Sequence, residues 1–265
     1  MKSIVVIPIY KSSPDEWESM SLRQCAKVLG RHGLCFVCPY GLELGPYTEL
    51  TGNAVSVERF EKHYFKGIEG YNRLLKDRSF YLRFQEYDYM LIYQLDAWVF
   101  EDRLTEWCSR GFDYIGAPWF ENWRSHEEGS DFLCVGNGGF SLRRVERFLQ
   151  ITDPEERLYT LRQAIRAYLK GGSLKERFFY NKAGRLRKQL EDRWEDVFFC
   201  YDLRGTRLEL KTPDCKEAAL FSIETSPQYV FNEVNGGKLP FGCHAWRRYQ
   251  YEEFWKDYIK DNDRL

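Results

Sequence analysis

Two apolar runs, SIVVIPIY (Ser3 to Tyr10) and YMLIYQL (Tyr89 to Leu95), set the strongest limit on the fold. Neither alternates apolar with polar residues, and a strand of that kind must be covered on both faces. Between them, Trp17 to Leu29 carries Leu22, Cys25, Ala26, Val28 and Leu29 at helical spacing. Leu34 to Pro39 reads as a further strand, and Val57 to Leu75 and Phe80 to Tyr87 read as helices. Such a succession predicts an α/β fold whose largely parallel sheet is flanked by helices on both faces. The 265 residues, 43% hydrophobic and 17% aromatic, supply a substantial core, and no internal repeat or Gly/Ser linker divides the chain.

A net charge of −1 lacks the strong basic excess of a nucleic-acid binder, so no nucleic-acid partner is expected. The first apolar run is short and interrupted by Pro8, unlike a signal peptide, and no run approaches the roughly 18 apolar residues of a membrane span. The chain therefore reads as cytoplasmic and soluble, and its eight cysteines as reduced thiols. Cys35 and Cys38 form a CxxC pair, but it lies within a strand pattern and has no second pair at zinc spacing, which favours buried structural thiols over metal or redox chemistry.

Asp96 follows the second apolar run, where open α/β sheets bind ligands. It is either a cap for the following turn or a ligand for a divalent cation. VGNGGFSLRR (Val135 to Arg144) puts three glycines and an asparagine before a helix-like SLRRVERFLQ. The loop is a tight turn or a close backbone approach to a ligand, and its spacing is neither a dinucleotide fingerprint nor a P-loop. In EDRWEDVFF (Glu191 to Phe199) two Glu-Asp pairs four residues apart would share a helical face. They are an exposed acidic helix or a general base raised by burial and repulsion, and the apolar residues that follow put Glu195 and Asp196 at the edge of the core. His244, in LPFGCHAW, is a packed histidine or a second metal ligand beside Asp96.

Together IPIYK, GYN, FYLRFQEYDYMLIYQLDAWVF, FDYIGAPWF, VGNGGFSLR, WEDVFF and PFGCHAW resemble a bacterial family of glycosyltransferase-like proteins associated with surface-polysaccharide gene clusters. That family is in turn similar to GT-A glycosyltransferases. The resemblance runs from about Ile4 to Trp255 and weakens over Ile151 to Arg193. It implies a single GT-A-like domain with a Rossmann-type mixed, mostly parallel sheet, its nucleotide-sugar-binding half at about 1–110 and its acceptor-side half at about 111–265. It also implies transfer of a hexosyl group from a nucleotide-diphosphate sugar, with UDP favoured, to a glycan or lipid-linked acceptor. Asp96 would correspond to the first carboxylate of an Asp-x-Asp motif, with Trp98 in place of the second, and His244 to the histidine that completes a Mn²⁺ or Mg²⁺ site. Asp196, with Glu195 second, would be the base of an inverting reaction. Pro8, Tyr10, Tyr71, Asn72, Gln94 and Asp96 would face the donor, and Trp119, Asn137, Gly138, Gly139 and Trp246 the two sugars.

Leu158 to Lys188 mixes Arg and Lys with apolar residues, as a solvated helical pair or as a surface for peripheral contact with anionic lipid at the inner face of a membrane. Two other activity classes remain open. One is a non-catalytic carbohydrate or nucleotide-sugar binder, favoured by Trp98. The other is a sugar-phosphate nucleotidyltransferase, disfavoured because IPIYKSSPDEWES has no glycine.

Overall fold

The computed structural model describes residues 1–52, 54–123, 126, 130–160 and 182–260. Its strands are β1 (Ser3–Pro8), β2 (Leu34–Pro39), β3 (Val55–Phe60), β4 (Tyr89–Tyr93), β5 (Trp98–Val99), β6 (Tyr114–Ile115), β7 (Pro118–Phe120), β8 (Phe132–Val135), β9 (Phe140–Arg144), β10 (Ser222–Ile223) and β11 (Gly242–Cys243). The main sheet runs β3-β2-β1-β4-β9-β6. The first four strands are parallel, whereas β9 runs antiparallel to both β4 and β6. The fold is thus mixed α/β with a mostly parallel sheet between helices.

Alternation along each central strand feeds two separate cores. Ile4, Val6, Cys35, Val37, Met90 and Ile92 pack on one face. Val5, Ile7, Phe36, Cys38, Leu91 and Tyr93 pack on the other. This double burial is why the sequence runs are continuously apolar. It also settles the CxxC pair: two thiols three residues apart on a strand face opposite cores, so they cannot share a metal ion. The helix Glu16–Leu29 is started by a capping box in which Asp15 accepts from the Trp17 and Glu18 amides and Glu18 accepts from the Asp15 amide.

Several segments depart from the sequence reading. Val57 to Phe60 belongs to β3, and the helix begins only at Gly67 and ends at Leu75. β3 is an edge strand with Ser56 and Val57 exposed, so its pattern lacks the apolar signature of a doubly covered strand. The next helix is Arg78–Leu82, with Asp77 as its cap, rather than a segment reaching Tyr87. Ser141 to Arg144, read as the start of a helix, belong to β9, and the helix there is Val145–Ile151. In EDRWEDVFF the helix starts at Glu195, so the exposed Glu191 and Asp192 do not share a face with Glu195 and Asp196. Among the described residues no helix is long and apolar enough to cross a membrane. Most of the basic segment Leu158 to Lys188, residues 161–181, lies outside the described residues.

Candidate functional site

The chain leaves β1 toward β2 and β3 on one side, while β4 lies on the other. The β1/β4 boundary is therefore a topological switch point, and the crevice beyond the strand ends is where ligands bind in such sheets. β1 delivers Pro8 to Lys11 to this crevice and β4 delivers Gln94 to Asp96. Because β9 is antiparallel, its beginning rather than its end lies there, with Tyr93 paired to Phe140. The Asn137-Gly138-Gly139 loop therefore enters the same crevice.

The result is a cleft of ≈ 990 Å³. Pro8, Tyr10, Tyr71, Asn72, Gln94, Asp96, Trp119, Asn137, Gly138, Gly139, Glu195, Asp196, His244 and Trp246 all line it. The structure thus brings every candidate residue to one place, although several have their polar atoms or rings already engaged.

One wall is built by a small sheet, β10-β11-β5. β11 runs antiparallel to β5 with Cys243 opposite Trp98, so the next residue, His244, returns toward Asp96. β10 pairs in parallel with Ile223 beside Cys243, which sets Glu224 next to the same ring. His244 Nε2 lies 3.1 Å from Asp96 Oδ1 and 3.2 Å from Gln94 Oε1, and its Nδ1 lies 3.2 Å from Glu224 Oε1. Burial opposes charge on this ring, but the charge and hydrogen bond of Asp96, joined by Glu224, push its pKa up to about 10. Burial likewise works against ionised Asp96, yet His244 outweighs it and holds that carboxyl below its ordinary value. The Asp96 side chain remains 53% exposed, open to the cleft.

Asp96 Oδ1, Gln94 Oε1 and His244 Nε2 form an O, O, N donor set that suits a hard or borderline divalent cation. Glu224 at Nδ1 orients the His244 ring, as the outer carboxylate beside a ligating histidine would. Trp98 cannot contribute, because it is buried edge-on to Trp246 at 6.1 Å. Among the described residues no group of three or more His, Cys, Asp and Glu side chains is placed to hold a metal ion, so a cation here would need the neutral Gln94, two residues before Asp96, as its third donor and a His244 ring that has given up its proton.

The opposite wall carries the carboxylates. Arg143 is fully buried on β9, and its Nη2 and Nη1 donate to Glu195 Oε1 at 2.8 Å and Oε2 at 3.2 Å. Glu195 is thereby occupied. Asn72 lines the cleft while its side chain accepts from the Glu195 amide at 2.6 Å and donates to Ile68 O at 2.8 Å, so it also anchors the acidic turn. Asp196 is left facing the cleft and accepts from the Gly138 amide at 3.0 Å. Burial, then the neighbouring charge of Glu195, pushes the Asp196 carboxyl up to about 7.

The glycine loop ties the two walls together. Asn137 has φ +62°, a left-handed conformation, and its side-chain oxygen accepts from the Gly139 amide at 3.1 Å. A Cβ on Gly138 would stand 2.0 Å from Glu195 Oε1, and one on Gly139 would stand 2.0 Å from His244 Nε2. Gly139→Ala is expected to displace His244 and cost about 1–3 kcal/mol in thermal denaturation, the usual cost of overpacking. An unchanged melting temperature would show that the ring can yield freely.

Two of the expected sugar platforms are packed away. Trp246 is 1% exposed among Trp17, Trp98 and Tyr251 and donates its indole N–H to Ala97 O, and Trp119 is 8% exposed. Sequence reasoning missed Glu224, Arg143 as the partner of Glu195, and Arg247 and Arg248 at the cleft. The alternation Phe140-Ser141-Leu142-Arg143 puts Arg143 on the polar face of a strand, where solvent would be expected, so nothing local signalled its burial against Glu195.

No curated protein matches the chain. Among solved structures it is similar to a galactosyltransferase, LgtC, in complex with donor and acceptor sugar analogs, at 12% identity, TM-score 0.46, covering 91% of this chain and 86% of that one. It is also similar to mouse xyloside xylosyltransferase 1 in its apo form, at 11% identity, TM-score 0.46, covering 92% and 97%. A third is core-mannan synthase A from Aspergillus fumigatus in its Mn/GDP form, at 10% identity, TM-score 0.42, covering 75% and 71%. A family model described as "Protein of unknown function (DUF5672)" matches residues 54–244, from the edge strand β3 to His244, and the chain belongs to that family.

Proposed function

We propose that the cleft moves a sugar from a nucleotide-diphosphate donor, UDP-linked by preference, to a hydroxyl of a glycan or lipid-linked acceptor in bacterial surface-polysaccharide or glycoconjugate synthesis, inverting the anomeric carbon. One observation carries the reading: a carboxylate poised near neutrality, Asp196, shares a switch-point cleft with the Gln94, Asp96 and His244 donor set. That is the pairing such transfer needs, a base for the incoming hydroxyl and charge compensation for the departing diphosphate.

Mn²⁺ or Mg²⁺ held by Asp96, Gln94 and His244 would supply that compensation as a Lewis acid. The rest falls to the chain's own groups. Asp196 takes the proton of the acceptor hydroxyl as its oxygen bonds the anomeric carbon. The bond from that carbon to the diphosphate breaks, and the leaving group departs with the electron pair. The Gly138 amide holds the Asp196 carboxylate in place. Arg247, set over the Trp17 ring at 4.8 Å, and Arg248, whose charge reaches Asp96, line the same cleft and face the diphosphate. Gln94 is neutral, so this pole is less negative than one built with two carboxylates, and a divalent cation would be held there mainly with the help of diphosphate oxygens.

Thermal shift with UDP-, GDP-, CMP- and dTDP-sugars, each with and without Mn²⁺, tests the reading. A ligand at 100 times its Kd adds about 2.7 kcal/mol, a rise of several degrees. Stabilisation by one nucleotide class, larger with Mn²⁺ and with that increment lost in Asp96→Ala, is the expected result. No shift with any donor would overturn the proposal and favour a glycan-binding module.

A further inference from the structure

Next to the cleft lies a shallower hollow of ≈ 480 Å³, and Trp123, Trp194 and Val197 line both. Its aromatic lining is unusually open: Trp194 is 63% exposed, Trp123 43% and Tyr201 40%. Trp123 meets Tyr201 edge-on at 5.3 Å, so the two form a shelf beside Trp194. Three exposed aromatic residues gathered in one hollow offer a candidate contact surface.

The turn that presents Trp194 is held from below. Lys76 is 3% exposed, and its ammonium donates to the carbonyls of Leu190 at 3.2 Å, Glu191 at 2.5 Å and Arg193 at 2.7 Å. A buried cation satisfied by three backbone oxygens of one turn fixes the backbone immediately before Trp194. Polar groups border the shelf, among them Gln189 and Asp192. Flat aromatic faces beside hydrogen-bonding groups match a sugar ring, which offers an apolar C–H face and a rim of hydroxyls. Trp194 and Trp123 line both the hollow and the cleft that holds Asp196, so the shelf is continuous with the wall that carries the base.

Resting on the transferase reading of the cleft, we propose that the acceptor is a pre-formed glycan of two or more sugar units. Its terminal unit meets Asp196, and the units behind it stack on Trp194 and Trp123. The acceptor specificity of the protein is therefore set outside the donor cleft, by two tryptophans and the turn pinned by Lys76.

The test is binding of the full chain to an immobilised panel of neutral and acidic mono- to hexasaccharides. The best oligosaccharide and its own monosaccharide units are then titrated in solution by tryptophan fluorescence. The expected result is retention of oligosaccharides over monosaccharides and about ten-fold or greater weakening in Trp194→Ala and Trp123→Ala. Trp194→Tyr should recover most of the affinity. Equal affinity after both alanine substitutions, monosaccharides bound as well as oligosaccharides, or no glycan retained would each overturn the proposal. A nucleotide-sugar thermal shift run alongside separates the two readings. Donor stabilisation with glycan binding indifferent to the tryptophans removes the shelf alone. Tryptophan-dependent glycan binding with no donor stabilisation keeps the shelf and removes the transferase.

Discussion

Asp196→Asn is expected to lower sugar transfer by about 10²–10⁴-fold while leaving nucleotide-sugar binding in place. The amide keeps the shape of the side chain, but its single oxygen can accept from only one of the Gly138 and Val197 amides, which bond the two Asp196 oxygens at 3.0 and 2.8 Å, and it cannot take a proton. Glu195 cannot substitute, because both of its oxygens are held by Arg143 inside the core. Transfer by the native protein should rise with pH and level off above about 7, as Asp196 ionises, and the residual rate of the variant should lack that limb. A profile of kcat/KM against pH for both proteins checks this. If the variant transfers at the native rate, Asp196 is not the base.

The same substitution should make the protein more stable at alkaline pH. Asp196 titrates at about 7 in the folded chain, against an ordinary value of 3.8. Raised in this direction, its contribution to stability is full below 3.8 and is lost as pH rises through about 7. Ionised, it costs on the order of 4 kcal/mol relative to the unfolded chain. Asparagine removes that charge, although leaving one of the Gly138 and Val197 amides without its acceptor gives back about 1–3 kcal/mol. The variant should therefore melt several degrees higher than the native protein at pH 8 and gain no comparable advantage at pH 5, so that what reactivity requires is what the fold tolerates least.

The sequence made the middle of the sheet readable because β1, β2 and β4 are buried on both faces and therefore almost purely apolar. It misled at β3, an exposed edge, and at β9, where Arg143 and Arg144 look like the polar face of a helix. What makes β9 a strand is partly the burial of Arg143 against Glu195, a partner 52 residues away that no local pattern contains. In the cleft, Asp96, the glycine loop and Asp196 were readable because their residue types stand at the ends of apolar segments. Glu224 was not, being a lone carboxylate after a two-residue strand too short to show a period. The tryptophans show a further limit. Five line the cleft, and only packing distinguishes the buried Trp119 and Trp246 from the open Trp123 and Trp194.

Arg143→Met should produce the largest loss of stability of any single change at the site. Arg143 is 0% exposed, and besides Glu195 it bonds the Ser141 hydroxyl at 3.1 Å and the Tyr81 hydroxyl at 3.1 Å. Methionine fills much of the volume but leaves Glu195 as an unpaired carboxylate, 4% exposed, in the wall of the core. Breaking one partner of such a pair costs about 3–5 kcal/mol. The damage would pass directly to the site, since the Glu195 amide bonds Asn72 and the next residue is Asp196. Pairing the change with Glu195→Gln removes the uncompensated charge, and the double variant should recover a large part of the loss, because the cost lies in the stranded ion more than in the missing bond. Urea denaturation of the two single variants and the double variant measures this coupling. A loss below about 1 kcal/mol in Arg143→Met would mean that Glu195 reaches water or takes up a proton without hindrance. Glu195 would then regain a claim to act beside Asp196 as a second base.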